Sequence, residues 1–148
     1  MSKQYTNNMG SYVNSHIVLI GSADAIHNAM DAVIESETQF NSVTYSNNDT
    51  RIDLCVETIS EAPELFVKKL KDDNKLDAAF IKAIDYDGYE IAYFKEIDDD
   101  ELHEYEEEFG EINYEFEEDE EALFDANDKM DDKVSADFEK YIKDYLEK

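Results

Sequence analysis

Seven segments between residues 16 and 97 carry apolar side chains at periods that switch in one order, and that order restricts the fold more than any other feature. Ile17, Val18, Leu19 and Ile20 form a buried strand, stopped by Gly21 and Ser22. Ser22 is placed to cap a helix over 23–35, whose Ala25, Ile26, Ala29, Met30, Val33 and Ile34 share one face. Residues 43–45 and 51–57 alternate as two strands around the turn Asn47-Asn48-Asp49. Pro63, tolerated in a first helical turn, opens a second helix over 62–72 in which Leu65, Phe66, Lys69 and Leu70 are spaced for packing. Residues 78–85 and 89–95 are again strand-like, joined through Asp87-Gly88.

The order strand-helix-strand-strand-helix-strand-strand predicts an α+β core over 15–97. It is close to a ferredoxin-like split βαβ unit, in which two helices cover one face of an antiparallel sheet. Residues 1–14 are polar and read as a flexible N-terminal arm. Cys55 is the only cysteine, and its place in the alternation of Ile52, Leu54 and Val56 reads as a strand thiol rather than a nucleophile. The start of the chain has no apolar signal-peptide core, and the run 17–20 is far too short to span a bilayer, so the expected location is the cytoplasm.

Charge divides the chain differently. The net charge is -26, yet residues 85–132 alone hold 23 acidic and 2 basic side chains, whereas residues 1–84 hold 12 and 7 and residues 133–148 hold 4 and 4. Composition with 42% hydrophobic and 12% aromatic residues argues against disorder despite that charge. The acidic stretch is also patterned. Leu102, Tyr105 and Phe109 recur at helical spacing over 101–109, while Ile112, Tyr114 and Phe116 alternate strictly with polar neighbours and predict a strand over 111–117. Val134, Phe138, Tyr141, Ile142, Tyr145 and Leu146 predict an amphipathic helix over 133–147 that closes the core from the far side. Residues 98–148 are thus read as an acidic β/α extension packed on the core.

An acidic chain repels nucleic acid and anionic membranes, so neither is an expected direct partner; a basic protein is. Ordered carboxylates repeating every ~5.4 Å on a helix or ~6.7 Å along a strand are comparable, within a factor of about two, with the charge spacing of a nucleic-acid strand. The carboxylates expected to meet such a partner are Asp98, Asp99, Asp100, Glu101, Glu104, Glu107, Glu108, Glu111, Glu115, Glu117, Glu118, Asp119, Glu120 and Glu121, with Tyr105, Phe109, Tyr114 and Phe116 ordering the array or packing at its centre. The plainer alternative is that these charges are solvated faces, or that the chain works in high salt. A second copy of the chain, meeting the first through exposed aromatics, is the other partner the sequence allows.

Catalytic and metal motifs are missing where they would be sought. In calcium-loop register, Asp85-Tyr-Asp-Gly would need carboxylates at Ala83 and Phe94. His16, His27 and His103 have no zinc-site spacing, no phosphate-cradling glycine motif occurs, and Arg51 is the only arginine. No cofactor and no catalytic residue is expected.

Two resemblances add to this. Ile52-Asp-Leu-Cys-Val-Glu-Thr, then Pro63-Glu-Leu-Phe with a lysine-rich helix end, and the Asp87-Gly88 hairpin leading to Tyr93-Phe94 resemble a ferredoxin-like family of small phage and plasmid accessory proteins. The tryptophan usual before the proline in that family has no counterpart here. Separately, the charge pattern is similar to that of phage DNA mimics, which implies inhibition of a host restriction, CRISPR or other DNA-handling protein. An antitoxin- or immunity-type protein binding one dedicated basic partner is the alternative expectation, and an acidic structural protein is a third.

Overall fold

The computed structural model describes residues 12–148. Its elements run β1 (Tyr12–Ile20), α1 (Ala23–Glu35), β2 (Ser42–Asn47), β3 (Arg51–Ile59), α2 (Glu64–Asn74), β4 (Ala78–Asp85), β5 (Ala92–Glu96), β6 (His103–Glu104), α3 (Glu106–Glu115) and α4 (Glu120–Leu146). The sheet order is β2-β3-β1-β4-β5-β6, with every adjacent pair antiparallel. Its first four strands have the expected split βαβ arrangement, and β5 and β6 extend the sheet beyond it. Of the arm expected over 1–14, residues 12–14 belong to β1, pairing with both β3 and β4 from Val13 onward; the remainder lies outside the described residues.

The central position of β1 accounts for the unbroken run at its end: Ile17, Val18 and Leu19 are all buried because both sheet faces are covered. On one face α1 and α2 pack Ala29, Val33, Val67 and Leu70 against Ile17, Leu19, Leu54 and Ile81. On the other, α3 and α4 pack Phe109, Val134, Phe138 and Ile142 against Val18, Phe80, Ile84 and Phe94. Local signals set the element ends. The Ser22 hydroxyl accepts the Ala25 N–H at 3.2 Å, and α2 ends on Lys75 in a left-handed conformation at φ 56°. The Asp85 carboxylate accepts the N–H groups of Asp87 and Gly88, forming the expected turn. The strand expected from residue 89 begins only at Ala92, because Tyr89 turns left-handed (φ 55°) and stacks its ring on Phe109 with centroids 4.3 Å apart.

Larger differences lie in the acidic third. Residues 101–109 are not one helix: His103–Glu104 pairs with β5, and α3 starts at Glu106. The strand expected over 111–117 is instead the second half of α3 and the turn after it. Tyr105, Phe109, Ile112 and Phe116 repeat at spacings of four, three and four; Tyr105 and Phe109 are buried and Ile112 and Phe116 half-buried, while Tyr114 faces solvent. The seven-residue alternation was a fragment of this longer helical period. The helix expected over 133–147 begins at residue 120, capped by Asp119, whose carboxylate accepts the Ala122 N–H at 3.1 Å.

Helix α4 lies antiparallel to β4. Tyr86 donates its hydroxyl to Asp131 (2.7 Å), Lys82 donates to Ser135 (2.7 Å), and Phe80 meets Tyr141 and Tyr145 edge-on. Arg51 ties β3 to the same helix by donating to Asp53 (2.8 Å) and Glu139 (2.8 Å). The hydrogen bonds Arg51 donates to carboxylates, that to Asp53 foremost, raise the already high guanidinium pKa further.

A candidate acidic interface

Four residues separate α3 from α4, a connection short enough to make them an antiparallel hairpin. Its base is fixed. The Tyr105 hydroxyl donates to Asp137 at 2.8 Å, Lys133 sits 5.4 Å from the centre of the Tyr105 ring, and Phe109 fills the core. The rest of the hairpin is held less deeply. On α4 the first fully buried side chain is Val134, so residues 120–133 reach the sheet only through partly buried groups such as Met130 and Asp131.

Residues 106–132 carry fourteen carboxylates and one cation, Lys129. Among the described residues none of these fourteen takes part in an ion pair. Helical geometry sorts them into rows: Glu121, Asp125, Asp128 and Asp132 follow one another along α4, and Glu108, Glu111 and Glu115 along α3. The thirteen α4 residues of the hairpin span about 20 Å at a rise of ~1.5 Å each. Thirteen net charges over that length give one per ~1.5 Å of axis, against one per ~1.7 Å for duplex DNA. Two aromatic rings stand among them, Tyr114 at 80% and Phe124 at 72% exposed.

All fourteen carboxylates expected from the sequence are exposed, but they do not form one array. Glu107, Glu108, Glu111, Glu115, Glu117, Glu118, Glu120 and Glu121 come together on the hairpin. Asp98, Asp99, Asp100 and Glu101 lie in the β5–β6 connection and Glu104 on β6 instead. Asp98 is engaged by Lys71 and by Lys68 (2.6 Å), whose ammonium groups hold its carboxyl below the usual range. Asp119 is occupied as a helix cap. Glu106, Asp125, Asp128, Asp131 and Asp132 join the hairpin without having been expected; the Asp119 cap and the row Leu123, Ala126, Met130, Val134 were the signals for them. Of the aromatics, Tyr105 and Phe109 order the array from below, and Tyr114 is the one left free.

Protonation distinguishes the base of the array from its surroundings. Burial, followed by the neighbouring Glu104, raises the pKa of Glu106. At Asp53 burial pushes upward, but hydrogen bonds from Arg51 and His16 outweigh it and the carboxyl ends below its usual range; Asp137 is lowered chiefly by Lys133. The signs therefore oppose. A raised carboxylate penalises the fold at neutral pH, a penalty relieved as pH falls through its folded pKa; lowered carboxylates contribute stability above ~4 that is lost as pH falls through their folded values. Thermal unfolding should accordingly show a midpoint that rises as pH falls from neutral through the raised carboxyl's folded pKa and drops again below about 4, as the lowered carboxylates take up protons. A midpoint that falls steadily from pH 7 would contradict this balance.

Away from the hairpin, a concavity of about 310 Å³ lies beside β2 on the face of the sheet that α4 covers in part, lined by His16, Ser42, Thr44, Cys55 and Lys82. Cys55 is on this face, opposite the side on which Ile52, Leu54 and Val56 meet α1 and α2, and partial burial pushes its thiol pKa up. Among the described residues, no group of three or more His, Cys, Asp or Glu side chains could hold a metal ion, and no helix is long and apolar enough to cross a membrane. No family model, curated protein or solved structure matches the chain.

Proposed function

We propose that this is a non-catalytic inhibitor whose α3–α4 hairpin imitates the charge density of a duplex and occupies the nucleic-acid groove of a basic protein in a host cytoplasm. The observation that carries the reading is the line of thirteen net charges over ~20 Å, without ion pairs, on a helical hairpin. Holding like charges so close costs stability. A solvated surface has no need to concentrate them on one hairpin. The phage DNA mimics that the charge pattern resembles suggest restriction or CRISPR proteins as the partner class.

The discriminating experiment is competition. A basic DNA-handling protein bound to this chain should be released by duplex DNA or guide RNA, and binding should weaken from about 50 to about 500 mM salt. Binding that ignores both nucleic acid and salt would sink the reading. A second reading, an immunity-type protein fitted to one partner by shape, is favoured by exposed Tyr114 and Phe124, since aromatic anchors dominate protein–protein hot spots.

A further inference from the structure

Six strands leave the sheet with two edges. One is the two-residue β6; the other is β2, six residues long, with no strand on its outer side among the described residues. The hydrogen-bond phase of β2 follows from the hairpin that joins it to β3. Asn48 donates its N–H to the Arg51 carbonyl at 2.9 Å, so these two form a bonded pair. Bonded and unbonded pairs alternate along an antiparallel ladder. Ser46 with Asp53, Thr44 with Cys55 and Ser42 with Glu57 are therefore the bonded pairs inside the sheet. Val43, Tyr45 and Asn47 then direct their N–H and C=O groups to the free edge. The other side of β3 has the same phase: Gly21 donates to the Thr50 carbonyl at 3.1 Å, which gives Ile52 and Leu54 bonded partners on β1.

Free edges are normally guarded by charge, proline or a bulge. β2 has none of these, and residues 38–48 contain no charged side chain in a chain with 35% charged residues. A basic partner finds nothing complementary there. A second copy does.

We propose that β2 pairs antiparallel with β2 of a second copy about a two-fold axis at Tyr45, joining two six-stranded sheets into one of twelve. In that register Tyr45 faces Tyr45, Val43 faces Asn47 and Thr44 faces Ser46, so the outward backbone groups form three bonded pairs and six hydrogen bonds. Two rings meet on the face covered by α1 and α2 and short hydroxyls on the other, with no like charges of β2 itself opposed. Charge segregation permits the assembly. The acidic hairpin is anchored at β4, three strand spacings or about 14 Å from the edge, so the two anchoring strands are seven spacings or about 33 Å apart across the dimer, about four Debye lengths at physiological salt.

The test is sedimentation of the full chain at low and high salt. The expected mass is twice the 17.2 kDa of one chain, with the dimer fraction growing as salt screens the remaining repulsion. Partner binding through the hairpin should respond to salt in the opposite direction, which separates the two properties. Tyr45→Pro removes an outward N–H without touching the β3 ladder and should give a folded monomer. Because proline can strain the strand, Thr44→Glu with Ser46→Glu provides a second block: it opposes like charges across the axis and should also abolish the dimer. A wild-type chain that keeps the mass of one copy at all salt concentrations overturns the proposal. So does a dimer that survives either substitution in a folded protein.

Discussion

Replacing Glu115, Glu117, Glu118 and Glu120 together by glutamine weakens binding to a basic nucleic-acid-binding protein about thirtyfold and, at the same time, raises the unfolding temperature. The four residues lie at the turn of the hairpin, exposed and free of ion pairs. Exposed charge pairs contribute about 0.2–1 kcal/mol each, so losing four costs about 2 kcal/mol, or roughly a factor of thirty. The salt dependence should become shallower as well, since fewer charges are neutralised on binding. Stability moves the other way because removing like charges relieves repulsion that no cation offsets. Titration calorimetry at two salt concentrations and a thermal melt check both halves. Unchanged affinity would refute the hairpin as the contact surface, and a lowered melting temperature would mean these carboxylates support the fold.

Phe138→Ala destabilises the protein by about 3–5 kcal/mol, a large part of the ~5–15 kcal/mol typical of a domain. Its ring is almost wholly buried between α4 and the sheet, 5.5 Å from His16 and 5.4 Å from Phe94, centre to centre. The ties made by Arg51, Lys82 and Tyr86 are polar and partly exposed, so they offset little of the lost apolar contact. The midpoint should fall by about 10 °C, whereas Leu65→Ala, on the exposed side of α2, changes it little. A Phe138→Ala melt within a degree or two of wild type would contradict the two-sided packing.

Legibility in the sequence followed the length and cleanness of each period. Helix α1 and its Ser22 cap were readable to the residue, because Ala25, Ile26, Ala29 and Val33 repeat without interruption between a cap and a polar turn. Strand β5 was read as starting three residues too early because the backbone reversal at Tyr89 depends on its stacking with Phe109, twenty positions away. The helical hairpin was the largest miss. Within seven residues, Ile112, Tyr114 and Phe116 fit a strand as well as a helix, and only a window reaching back to Tyr105 separates the two periods. For α4, carboxylates at Asp125, Asp128, Asp131 and Asp132 crowd a sparse apolar row at Leu123, Ala126 and Met130.

The acidity itself was determined by the sequence alone: its amount, its confinement to residues 85–132, and its interleaving with aromatic side chains. So was the strand and helix order that specifies an α+β sheet, because period and capping are local properties of the chain. Tertiary structure decided which carboxylates stand together. It drew Asp98 away to Lys68 and Lys71, made Asp119 a cap, and set Glu108, Glu111 and Glu115 on the same hairpin as Glu121, Asp125, Asp128 and Asp132. It also decided that β2 would be an edge. Both outcomes depend on contacts between residues far apart in the chain, and a charge or a strand carries no local mark of which neighbour it will meet or lack.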